Sequence, residues 1–193
     1  MRDVQANSGK RGFTLVEMLV VIAILGILMA MMVPAAGIIM KKAKIAGVKS
    51  DAGVVATALL KYQAEYNRWP EPYLPAGEGQ TDAAWVDMMA PKPGEDVKNN
   101  WKRIVFFEPG GGALDADGAF VDVWGHSFFF RLDLSGTGEM DSPDVDKGGK
   151  LRARAVAWSA GEDNDATTWA DNVKSWEGRR TGRRPHEAQV GAT

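Results

Sequence analysis

The chain has 193 residues, a formal net charge of −2, 45% hydrophobic and 25% charged residues, which fits one modest domain plus a further segment and gives no reason to expect nucleic acid as a partner. It has no cysteine and only two histidines, His126 and His186, which excludes a disulfide scaffold and a Cys-ligated metal and argues against a zinc site. Much of the apolar content lies in one block, residues 18–40, so the remaining core is small and leans on seven Trp and seven Phe.

Residues 1–12 are short and polar, with Arg2, Lys10 and Arg11 against Asp3. From Phe13 to Met40 the only charge is Glu17, and 18–40 carries none. As a helix that uncharged run is roughly 35 Å long, enough to cross a bilayer. Lys41, Lys42 and Lys44 close it. A secretory signal peptide has an apolar region of only about 7–15 residues before a small-residue cleavage site. Val33-Pro34-Ala35-Ala36 imitates such a site, but the run is too long and has an acid near its start. A plain signal anchor accounts for the length and not for the acid. An ionisable group in a membrane segment costs about 2.5–3.5 kcal/mol and is a functional residue by default. Glu17 therefore needs a cation, and the apolar run supplies none. A cut after Gly12 would free an α-amino group on Phe13 one helical turn away, on the same chain or on a neighbouring subunit.

Arg11-Gly12-Phe13-Thr14-Leu15-Val16-Glu17 resembles the type III signal of type IV pilins and type II secretion pseudopilins. The resemblance implies that a prepilin peptidase cuts between Gly12 and Phe13 and methylates the amine of Phe13. It also implies that Glu17 pairs with an adjacent subunit's N-terminus during assembly, and that Pro34 stands where pilins often carry a helix-kinking proline. Independently, a proline at 34 removes one helical donor and clashes with the carbonyl of Ala30, so a bend or local break is expected there.

After the lysines, Ile45, Val48, Ala52, Val55, Leu59, Tyr62 and Tyr66 recur at steps of three and four, one apolar helical face that reads as core packing. The helix is predicted to stop at about Tyr66, before Trp69-Pro70. Asn67-Arg68-Trp69-Pro70 is similar to the short aromatic-proline turn after the long helix of many pseudopilins. Residues 71–80 read as loop, 81–89 as a short helix capped by Thr81 or Asp82, and 103–107 as a strand. Gly110-Gly111-Gly112 reads as a flexible turn and 115–118 as a solvated acidic turn.

Residues 119–123, 127–134 and 151–158 read as three strands of an antiparallel sheet. Between the first two, Asp122-Val123-Trp124-Gly125-His126-Ser127-Phe128 is similar to a segment typical of the major pseudopilin of type II secretion, without that segment's two prolines. Further on, 159–165 with 169–176 is similar to the calcium loop of the same proteins. Carried over by position, Asp163 and Asp171 are side-chain ligands and Ser159 a carbonyl ligand, with Asp165 an added candidate. Calcium takes about six to eight oxygens, and the acids Glu162, Asp163, Asp165 and Asp171 could supply several; the alternative is a solvated acidic loop. Residues 177–193, with Arg179, Arg180, Arg183 and Arg184, read as a disordered basic tail.

The expected organisation is therefore α+β: a leader (1–12), a transmembrane and assembly helix (13–40), its amphipathic half (41–66), a globular domain with a small antiparallel sheet (67–176) and a tail (177–193). The resemblance implies a filament subunit with itself, minor pseudopilins, a prepilin peptidase and an inner-membrane assembly platform as partners. It implies a single pass through the bacterial inner membrane with the N-terminus cytoplasmic, then a periplasmic or cell-surface filament. A major pseudopilin-like role is favoured; a pilus subunit for adhesion, motility or DNA uptake, or a minor tip subunit that binds a ligand or secreted substrate, are the alternatives. No Ser-His-Asp set, metal-hydrolase motif or phosphate-binding loop is present, so an enzyme is not expected. The acid pair Asp163 and Asp165 has no feature selecting it for glycoside cleavage.

Overall fold

The computed structural model of the chain describes residues 12–94, 97–110 and 113–176, with the side chains of 31–36 outside that description. The leader at 1–11, Gly111, Gly112 and the tail at 177–193 thus lie outside the described residues. Helix α1 (Leu15–Tyr66) opens the chain. A 3-10 turn (Glu71–Tyr73), strand β1 (Glu78–Gln80) and helix α2 (Ala83–Met89) follow. Strands β2 (Phe129–Leu132), β3 (Met140–Asp141), β4 (Lys150–Leu151), β5 (Ala155–Ser159) and β6 (Val173–Lys174) complete it. The chain divides into two compact units, Met1–Ala43 and Lys44–Thr193.

In the first unit the described large apolar side chains are exposed, from Phe13 to Met29 and again from Ile38 to Met40. The helix assignment continues across Pro34, whose side chain, with the kink expected there, falls outside the description. Among the described residues no helix is long and apolar enough to cross a membrane; the described apolar side chains form two blocks, on either side of 31–36.

The second unit forms a core. Val48, Ala52, Val55, Leu59 and Tyr62 of α1 are fully buried, and Tyr66 nearly so, the face expected from the sequence. Ile45 is the exception: it stays exposed, because the buried cluster starts one turn later, at Val48. That face meets Phe130 and Leu132 of β2, Ala155 and Ala157 of β5, and Val173 of β6. Alternation along β2 puts Phe130 and Leu132 on the helix side and Phe129 and Arg131 on the other. The sheet is four-stranded and antiparallel in the order β1-β2-β5-β6. All five residues of β5 are buried, because its other face is covered too. Val156 packs with Met140 and Leu151 of the β3–β4 pair, and Trp158 lies among Phe129, Trp169 and Trp176.

Several expected elements differ. Residues 103–107 form no strand: Phe106 and Phe107 turn into the core, and their amides both donate to the Met89 carbonyl at the end of α2. Residues 119–123 make only isolated bridges, Leu114 to Phe120 and Val121 to Ser127. Residues 151–158 split into β4 and β5, which serve different sheets. Within the expected loop at 71–80, β1 pairs with β2 across Glu78–Arg131, Gly79–Phe130 and Gln80–Phe129. Only glycine fits at 79, since a Cβ there would stand 2.6 Å from the Phe130 ring and 2.7 Å from that of Tyr73. The short helix is capped as expected, by the Asp82 carboxylate accepting from the Trp85 amide.

Candidate functional site

The start of α1 is a reciprocal cap. The Thr14 amide and hydroxyl both donate to the Glu17 carboxylate, at 2.9 and 2.8 Å, and the Glu17 amide donates to the Thr14 hydroxyl at 3.2 Å. This is the capping-box arrangement, with Thr14 as the cap and Glu17 at the third helical position. The sequence Thr-x-x-Glu thus sets the helix start immediately after Gly12 and Phe13. Phe13 is 75% exposed, and the space around Gly12 is open. The bond between them is therefore exposed and lies beside a fixed helix end. Among the described residues Glu17 is bonded only to Thr14, with no cation beside it.

In the second unit the two segments with pseudopilin-like sequence meet. Asp122 is buried; one carboxylate oxygen accepts from the Trp124 and His126 amides at 2.9 and 3.0 Å, shaping the turn in which Gly125 takes φ +86°. The other accepts from the buried Ser159 hydroxyl at 2.5 Å, and the His126 ring nitrogen Nδ1 lies 3.2 Å from the Gly161 carbonyl. The expected calcium ligands Ser159, Asp163, Asp165 and Asp171 do share one loop, but their oxygens serve the loop itself. Asp171 accepts from the amides of Glu162 and Asp163. Asp163 accepts from the Asp165 amide and the Thr168 hydroxyl. Asp165 accepts from Thr167, amide and hydroxyl, and these bonds hold its carboxyl below the ordinary carboxylate range. Among the described residues no three acids or histidines converge as a metal-holding group. This arrangement does not fit calcium: the carboxylates are turned to amides and hydroxyls, not to a common centre.

Sequence reasoning missed two polar hubs. Asn100 is fully buried; its amide donates to the carbonyls of Met88 and Ile104, and its oxygen accepts from the Tyr66 hydroxyl and the Ile104 amide. It ties 97–104 to the end of α1 and the end of α2. Lys174 and Asp144 form a buried ion pair at 2.6 Å, with side chains 4% and 1% exposed. Burial alone would raise the Asp144 carboxyl, but the bonds from Lys174 and the Lys147 amide, with both ammonium charges, outweigh it and hold it low. A lone lysine in a short strand and one of several acids in a loop, beside Glu139, Asp141 and Asp146, gave no signal, because their partnership is set only by the folding of the C-terminal loops.

Comparison with known proteins places the leader region first. The prokaryotic N-terminal methylation motif matches residues 7–33. The chain is 28% identical over 138 residues to the type IV major pilin protein PilE1 of Neisseria gonorrhoeae, covering 70% of this chain and 68% of the pilin. No solved structure matches. The methylation motif, the capped helix start and the helix-on-sheet architecture agree in one reading: the chain resembles the type IV pilins.

Proposed function

We propose that the chain is a structural subunit of a type IV pilus-like filament, cut between Gly12 and Phe13, methylated on Phe13 and polymerised through its N-terminal helix. The observation that carries this reading is the exposed apolar block of α1 headed by Glu17, inside the matched motif at 7–33. Exposed apolar surface of that extent is stable only against lipid or other copies of the same helix. The subunit waits in the inner membrane, and Glu17 guides its docking on the assembly platform and the growing fibre.

Within that reading we favour a major pseudopilin-like component of a type II secretion system. The support is the Asp122–Ser159 contact, which joins both pseudopilin-like segments. The match to a major pilin favours the second reading, a pilus subunit for adhesion or motility.

The test is intact mass and N-terminal sequencing of the protein from its native membrane, with Glu17→Val alongside. Wild type is expected to begin at methylated Phe13. The variant is expected to be processed normally and to assemble at least about a hundredfold less well, the scale of leaving the Phe13 amine unpaired in apolar surroundings. A chain starting at Met1, or cut near Ala36, sinks the proposal.

A further inference from the structure

The stretch from Asp133 to Asp144 spaces its oxygen-bearing residues as a calcium loop does. Such a loop takes oxygens from its first, third, fifth, seventh, ninth and twelfth residues, with a glycine at the sixth for the sharp turn. Here the first is Asp133, the third Ser135, the fifth Thr137, the sixth Gly138, the ninth Asp141 and the twelfth Asp144. Gly138 takes φ +77°, and its amide donates to Asp133 Oδ2 at 2.7 Å. Four oxygens follow in a row. Asp133 Oδ1 lies 2.6 Å from Ser135 Oγ, Ser135 Oγ 2.7 Å from Thr137 Oγ1, and Thr137 Oγ1 3.1 Å from the Glu139 carbonyl oxygen. Asp133 is 4% exposed and, among the described residues, has no ion-pair partner. Burial alone would raise its carboxyl, but the bonds from Ser135, Gly138 and Gly136 outweigh that and hold it low. A buried carboxylate that stays charged without a counter-charge is a group that a cation would satisfy. Ser135 and Thr137 are exposed, so the row opens to solvent.

We infer that this loop is a calcium site, with Asp133, Ser135 and Thr137 as side-chain ligands and Glu139 as a carbonyl ligand. In a six- to eightfold shell with each oxygen about 2.3–2.6 Å from the ion, neighbouring oxygens sit roughly 3 Å apart, close to the spacing of the row. Binding chiefly requires the two hydroxyl protons to turn away from their neighbours. Magnesium, smaller and strictly octahedral, fits such a row less well. Asp144 does not close the loop, because the buried Lys174 takes its carboxylate, and among the described residues no three acids converge. One carboxylate, two hydroxyls and one carbonyl leave the remaining positions to water. The affinity therefore belongs in the weak range of extracellular modules, with Kd about 10⁻⁴–10⁻³ M. The loop at 159–171 differs: its carboxylates are exposed, and each serves a different set of donors. The inference stands apart from the filament reading, since a chain that never assembles still carries the Asp133 loop.

The experiment uses the full chain in detergent, with terbium as a luminescent stand-in for calcium. Trp69 donates through Nε1 to the Asp133 carbonyl at 2.8 Å, so its indole stands beside the site as a sensitiser. Tryptophan-excited terbium luminescence is expected, and millimolar calcium should displace it. Calcium at about ten times Kd should raise the melting midpoint by about 3 °C or more. Trp69→Phe should lose the luminescence and keep that rise. Ser135→Ala with Thr137→Ala removes two exposed hydroxyls and should weaken calcium at least about tenfold. Thr137→Ala alone leaves every bond to Asp133 in place and should weaken it in the same direction, which keeps the test open if the pair does not fold. Wild type without calcium-displaceable luminescence, or unchanged calcium affinity in the variants, overturns the assignment. A signal that survives Trp69→Phe and disappears with Asp163→Asn overturns it in favour of the 159–171 loop. None of these outcomes bears on cleavage or assembly, so the filament reading stands or falls separately.

Discussion

The two halves of α1 obey opposite rules. In the Lys44–Thr193 unit the helix alternates: Val48, Ala52, Val55, Leu59 and Tyr62 are buried, while Val54, Thr57 and Lys61 face out. In the Met1–Ala43 unit the described apolar side chains are exposed all round. A helix that is apolar on every side is made for surroundings that are apolar on every side. The first half therefore contributes nothing to the stability of the single chain and draws its free energy from whatever encloses it. The second half is the central element of a compact unit with its own buried core.

The largest test of that contrast is within the folded unit. Lys174→Met leaves the buried Asp144 uncompensated and should cost about 3–5 kcal/mol of unfolding free energy, read by denaturant melts; a loss under about 1 kcal/mol would mean that water reaches the pair. Next comes a matched pair of truncations on one helix. Leu59→Ala should cost about 2–5 kcal/mol, whereas Leu25→Ala, in detergent, should shift the same tryptophan-monitored melt by less than about 0.5 kcal/mol. Equal effects would break the comparison. Gly79→Ala should cost about 1–3 kcal/mol, because the Tyr73 and Phe130 rings must move apart.

The smallest effect is on acid sensitivity. Asp144 is held below its ordinary value in the folded state, so its stabilisation is complete above a pH of about 4 and drains away as pH falls through the lower folded value. Melting midpoints of wild type should decline over that acid range. Asp144→Asn should flatten that part of the curve; an unchanged slope would show that other carboxylates dominate.

What could be read from the sequence depended on how local each signal was. The end of α1 at Tyr66, its apolar face, of which only Ile45 stays exposed, and the Asp82 cap are all set by residues within a turn or two of one another, whereas the Thr14 cap at the helix start went unread. The sheet was harder. The central pair β2 and β5 is flanked by β1, invisible in a Gly- and Pro-rich stretch, and by the two-residue β6. Residues 103–107 have the composition of a strand, but the two phenylalanines serve the core and their amides serve the end of α2. At the candidate site, the motif around Gly12, Phe13 and Glu17 was legible because it is linear. The Asp122–Ser159 bond and the Asp144–Lys174 pair span 37 and 30 positions, and nothing local marks them.

The reciprocal cap at Thr14 has a consequence for how subunits come and go. In the isolated chain the Glu17 carboxylate already accepts from the Thr14 amide and hydroxyl. An incoming cation therefore competes with donors that are covalently tethered beside it. Docking in the proposed fibre becomes a swap of partners, and the departing subunit recovers its own cap at once. Such an exchange lowers the barrier in both directions, so a fibre built on it can be shortened as readily as it is extended.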